Sequence, residues 1–142
     1  MKPLWKTWLV VWALGTVVFG LVLAGAGDSA IDGGARFVYR LLGGPAALDL
    51  NPVLRFSIGL MGAVSFGWGV TVLALAWQGE RAGGPAVWRA VALGFGLWFV
   101  LDSAISIHTG MPLNAVSNTL IVLAGLPPLL GGGLLGLRRA ER

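Results

Sequence analysis

Apolar residues in this chain come in long unbroken runs, not in alternation with polar ones. Between Lys6 and Asp28 lie 21 consecutive uncharged residues, and between Arg55 and Glu80 there are 24. A helix needs roughly 20 residues to cross a hydrocarbon core, so each run is long enough for one crossing. From Ala90 to Leu137 the only interruptions are Asp102 and His108. That stretch holds two more spans if the polar segment 102–119 contains the turn between them. Gly110 suits the close of one helix and Pro112 the opening of the next. The pattern therefore predicts four transmembrane helices, near residues 5–26, 52–78, 86–108 and 112–137. The fold class is all-α: a polytopic four-helix bundle forming one membrane domain over residues 1–142.

The segment from 27 to 51 is too long for a tight connection and has a pattern of its own. Asp28, Asp32, Arg36 and Arg40 recur every four residues, so on a helix they form a charged stripe in which Asp32 can pair with Arg36. Ile31, Ala35, Val38 and Leu42 run along another face. Ser29 with Asp32 fits a capping box, and "GGP" at 43–45 ends the element. The expectation is a short amphipathic helix over about 29–42, lying on the membrane surface as a lid or a partner-docking element. Asn51 is then the N-cap of the second span, with Pro52 at its first helical position.

Composition agrees with a membrane protein. Hydrophobic residues make up 56% of the chain and charged ones 11%, and the mean hydropathy is +0.82. The first span is longer than a signal-peptide core and carries three Trp near its start, so it is read as a mature helix. Without cysteine there are no disulfides, thiolate metal sites or Cys nucleophiles. Basic residues set orientation: with the N-terminus inside, Lys2, Lys6, Arg81, Arg89, Arg138, Arg139 and Arg142 fall inside, and Arg36, Arg40 and Arg55 outside. Both termini are therefore expected in the cytoplasm. The net charge of +4 divides into about +5 inside and about −1 outside, which lipid headgroups explain without a nucleic-acid partner.

Helices in lipid associate through small residues. Gly59, Ala63, Gly67 and Thr71 form a four-residue stripe on the second span, with Gly62, Ser65 and Gly69 beside it. On the third, Ala90, Gly94, Trp98, Asp102 and Ser106 repeat the spacing, which turns Asp102 into the bundle. Pro127 and Pro128, followed by three glycines, predict a kink or break in the fourth span. The indoles of Trp12, Trp68 and Trp98 sit deep enough to need partners or a wet cavity.

The polar stretch "DSAISIHTGMPLNAVSNT" holds the candidate chemistry. Asp102 lies six residues inside the end of its helix, roughly 9 Å at the helical rise. An intramembrane carboxylate is costly unless paired, wet or protonated, which makes it a functional candidate. Asn114, Ser117 and Asn118 occupy the first turns of the fourth helix and Arg55 the first turn of the second. The simplest arrangement pairs Asp102 with Arg55, and Asn and Ser side chains complete the hydrogen bonds. Such a cluster either locks helices together or lines an outward-facing pocket for a polar headgroup, a quinone-like ring or a small solute. The candidate ligand-binding set is Arg55, Asp102, Ser106, His108, Asn114, Ser117 and Asn118. Catalysis would have to use Asp102 and His108 as an acid–base pair, and residues six apart meet only where the helix has ended. No zinc motif, phosphate loop or nucleophile elbow is present, so neither a metal nor a cofactor is expected.

The layout also resembles a known group. A second span entered through "NPVLRFSIGLMG" and a third leaving through "DSAISIHTGMP" resemble small bacterial four-helix inner-membrane proteins and, more distantly, the DoxX-like group. The pattern positions are Arg55, Gly59, Gly62, Ser106, Gly110 and Pro112. The resemblance implies a four-helix bundle beside respiratory, quinone-linked or envelope-stress machinery; Asp102, in place of a basic residue near the end of the third span, departs from it. The leading expectation is a non-enzymatic membrane protein, either an accessory or assembly subunit of a larger membrane complex or a binder of lipid or quinone. The alternative is a transporter or channel subunit that works as a homo-oligomer.

Overall fold

The computed structural model describes residues 1–45, 47–78 and 84–136. Its elements are α1 (Pro3–Ala24), a 3₁₀ turn (Gly25–Gly27), α2 (Gly33–Leu41), α3 (Pro52–Gln78), α4 (Gly84–His108) and α5 (Pro112–Gly131). Four of these helices, all but the short α2, are long and apolar enough to cross a membrane. Glu80, Arg81, Leu137, Arg138, Arg139, Glu141 and Arg142 lie outside the described residues. With four crossings, the N-terminus of α1 and the end of α5 share one face, here the terminal end; α2 caps the other.

Local chemistry sets the ends. Pro3 opens α1 two residues earlier than expected, because a proline at the first helical turn gives up an N–H that has no helical partner. Asn51 Oδ1 accepts the Leu54 N–H at 2.9 Å, as an N-cap should. At the α4–α5 turn, Gly110 takes a positive φ of 79°, and the Met111 N–H reaches back to the Ser106 carbonyl at 2.8 Å. That closure is a Schellman motif.

α1 packs most extensively against α3, through a seam that differs from the expected stripe. The α3 residues facing α1 and the core are Ile58, Gly62, Gly69, Val72 and Ala76, with half-buried Ser65 between the two glycines. Ala63, Gly67 and Thr71 are exposed. A repeat of four at every step drifts about 40° per step around a 3.6-residue helix, whereas alternating steps of four and three hold one face. The contact is backbone on backbone: a Cβ at Gly62 would collide with Ala24, and one at Gly20 with Phe66. A Cβ at Gly59 would stand at ordinary contact distance, 3.6 Å from the Ala24 carbonyl oxygen.

The expected break in the fourth span is not seen: α5 runs through Pro127 and Pro128 to Gly131. Pro128 has no N–H for the Ala124 carbonyl four residues back, and Trp8 Nε1 of α1 donates to that oxygen at 3.0 Å. One turn deeper Trp12 Nε1 donates to the Ile121 carbonyl at 3.1 Å. Gly125 and Gly131 make room for the indoles of Trp12 and Trp5.

Two buried clusters hold the molecule. At the terminal end Leu9, Ala13, Val72, Ala76, Trp88, Leu129 and Leu134 bring all four long helices together. At the other end Leu23, Ala26, Ala35, Leu50 and Ile58 join only α1, the 3₁₀ turn, α2 and α3. α4 pairs mainly with α5. The bundle is thus closed at the terminal end and splayed between α3 and α4 toward the α2 end.

α2 is shorter than expected. Ser29 makes no cap; instead Asp28 Oδ1 accepts the Ala30 N–H at 2.9 Å in a turn, and helix begins only after Asp32. Asp28 and Ile31 therefore fall outside the helical stripes. Ala35 is buried, while Phe37 and Leu41 are exposed, which suits a helix lying on an apolar surface.

Candidate ligand-binding site

The α4–α5 hairpin builds the polar cluster. Asp102 and Ser106 are one turn apart on α4, and Asn114 and Asn118 one turn apart on the antiparallel α5. Asn114 Nδ2 donates to Asp102 Oδ1 at 2.7 Å and Asn118 Nδ2 to the same oxygen at 2.9 Å. Ser106 Oγ lies 3.1 Å from that oxygen and accepts from Asn114 Nδ2 at 2.7 Å. Asn118 also reaches Ser103 Oγ at 3.3 Å. Four of the expected residues thus come together, and Asp102 turns toward α5, while Ala90, Gly94 and Trp98 of the same four-residue stripe are exposed. Among the described residues no donor reaches Asp102 Oδ2.

Two cavities meet at Asp102. The larger, about 1020 Å³, runs along the α3–α4 cleft past Trp12, Trp68, Gly94, Phe95 and Trp98. The smaller, about 500 Å³, opens toward α2 and is bounded by Tyr39, Leu42, Ser106, Asn114 and Asn118. Asp102, Ser65 and Ser117 line both, together with Phe19, Met61, Trp98 and Ile121, so the waist sets three polar side chains among apolar ones. Phe95 stacks on Trp98 with centroids 5.2 Å apart, and Trp12 meets Phe95 edge-on at 5.1 Å.

Arg55 does not pair with Asp102. Its Nη2 lies 2.9 Å from Asp32 Oδ2 and its Nη1 donates to the Ala26 carbonyl at 3.1 Å. Asp32 also takes Arg36 Nε at 2.9 Å, as the stripe predicted, and Arg36 Nη1 continues to the Leu48 carbonyl. This clamp ties α2 and the following loop to the start of α3. The Arg36 hydrogen bond does most to hold the Asp32 carboxyl below its ordinary range; burial works against it, and Arg55 adds to the lowering. The guanidinium of Arg36 is raised in turn by its bond to Asp32. Arg55 was drawn to the wrong carboxylate because its helix turn fixes depth but not direction around the axis.

His108 ends α4, is exposed, and borders neither cavity, so no acid–base pair with Asp102 is assembled. Among the described residues no three His, Cys, Asp or Glu side chains gather as metal ligands would. Ser117 contributes as a cavity wall and not as a member of the hydrogen-bonded cluster.

No family model, curated protein or solved structure matches this chain.

Sequence reasoning missed Tyr39, which comes from α2 to overhang the smaller cavity. Burial raises its phenol pKa above the ordinary value, and the charge of Asp102 raises it further. The signal was present in the helical spacing of Ala35, Val38 and Tyr39, which share one side of α2, with Leu42 following as its C-cap. Ser65 is expected from its spacing to be a packing residue, yet it lines both cavities at the waist.

Proposed function

We propose that this chain is a non-enzymatic integral membrane protein that binds an amphipathic small molecule taken from the bilayer. The body of the ligand lies in the cleft between α3 and α4, and its polar group sits at Asp102. The observation that carries this reading is the meeting of two largely apolar cavities at a carboxylate with one oxygen that no described residue engages. A cleft between two lipid-facing helices admits a lipid-soluble molecule sideways, without transfer through water. The cluster around Trp88 closes the terminal end, which favours binding over conduction.

A carboxylate accepts hydrogen bonds and does not donate them. The carbonyl oxygens of an oxidised quinone are also acceptors, so a quinol, alcohol or amine suits the site better. The bias of basic residues supports cytoplasmic termini in a bacterial-type inner membrane, with the cleft then opening in the outer leaflet. The DoxX-like layout supports a place beside a larger membrane complex.

Gly94 faces the larger cavity, and a Cβ there would stand 3.8 Å from the Trp68 ring, so Gly94→Leu fills the cleft without touching backbone. Mass spectrometry of small molecules extracted from purified protein should find an amphiphile enriched with the wild type and lost from Gly94→Leu at unchanged thermal stability. Recovery of the same bulk lipids from both would overturn the reading.

A further inference from the structure

We infer that the occupant of the cleft is a lipophilic cation, a molecule with an ammonium-type head and an apolar body. This rests on the cleft being a binding site and adds the sign of the charge. Among the described residues neither cavity is bordered by a Lys, Arg or His, and Asp102 is the only ionisable side chain at the waist. Tyr39, the one other titratable wall residue, keeps its proton to a higher pH than usual. The base nearest in sequence pattern, Arg55, is held by Asp32 and the Ala26 carbonyl.

The described neighbours of Asp102 stabilise it with two amides and one hydroxyl but supply no positive charge. A carboxylate in low-dielectric surroundings gains most from a cation at its open oxygen. The walls suit the same ligand. Trp98 stands one helical turn from Asp102 and stacks on Phe95, and Trp12 closes on Phe95 from α1. Aromatic faces attract cations, quaternary ammonium included.

A phospholipid head is a poorer match. Its phosphate would enter a site without a cation, where the hydroxyls of Ser65, Ser117 and Tyr39 stand beside a carboxylate and the Trp12 indole already serves the Ile121 carbonyl. The amine therefore belongs either to a chain lipid without phosphate or to a free organic cation.

Two size-matched ions test the sign of the charge. In phosphatidylcholine nanodiscs, corrected for empty discs, the wild type should retain tetraphenylphosphonium saturably and tetraphenylborate not at all. Asp102→Asn should weaken phosphonium retention about tenfold or more, since it removes one partner of a desolvated charge pair. A second comparison, sphingosine against N-acetylsphingosine, separates the sources. Preference for sphingosine identifies an amine carried on a lipid chain, and retention of phosphonium alone identifies a free cation; either supports the inference. Equal binding of both ions, of sphingosine and its neutral acetamide, or of phosphonium to wild type and Asp102→Asn overturns the charge assignment and leaves the cleft reading intact. Saturable binding of none of the four probes overturns both. Should Asp102→Asn fail to fold, the opposite-ion comparison in the wild type decides the matter alone.

Discussion

Asp32 serves two guanidiniums from a side chain only 10% exposed, which makes α2 docking sensitive to acid. Its pKa is lowered from 3.8, first by the Arg36 hydrogen bond. The stabilisation is therefore complete above that ordinary value and is lost as pH falls through the lower folded value. Hydrogen exchange along α2 should rise in that acidic window, and Asp32→Asn should show the raised exchange already at neutral pH. Tyr39 gives a second residue-level test, because it is the only tyrosine in the chain. Its absorbance near 295 nm should report ionisation above the ordinary value of 10.0. In Asp102→Asn the midpoint should move down, yet stay above that value, because burial is the larger cause. An unchanged midpoint would mean that Tyr39 does not sense Asp102.

Between elements, the α1–α3 seam and the α1–α5 indole contacts divide the work. Gly62 admits no side chain, since a Cβ would strike the α1 backbone, whereas Gly67 has nothing within 4 Å. Gly62→Val should cost about 1–3 kcal/mol or separate the helices, and Gly67→Ala should stay within about 0.5 kcal/mol of wild type. Unfolding in mixed micelles distinguishes them, and the opposite ranking would restore the evenly spaced stripe. Trp8 replaces the donor that Pro128 lacks. Trp8→Phe should cost about 0.6–1.7 kcal/mol, the range for interhelical hydrogen bonds in lipid. In Pro128→Ala the regained N–H bonds the same carbonyl, so the added cost of Trp8→Phe should shrink.

At the scale of the molecule, one closed end and one splayed end single out the α3–α4 separation as the distance a ligand in the cleft would change. The chain has no cysteine, so a spin-label pair introduced at exposed Leu60 and Leu101 reports that distance directly. A ligand that fills the cleft should narrow the distance distribution, and a control pair at Leu4 and Trp77 near the closed end should not respond. A distribution indifferent to every bound amphiphile would argue for a rigid groove.

The sequence by itself determined the number of crossings, the proline and asparagine starts, the glycine turn before Met111 and the inward aspect of Asp102. Each of these follows from run length, a local φ preference or the angular position of a residue on its own helix. The two glycines that carry the α1–α3 seam, the indole that rescues the Ala124 carbonyl, and the exchange of Asp102 for Asp32 as the partner of Arg55 were decided only in the tertiary structure. Periodicity places residues on a face but leaves open which helix meets that face. In lipid, where apolar surface gains nothing by choosing protein over acyl chains, that choice falls to close packing and to a few polar partners that only the assembled bundle brings within reach.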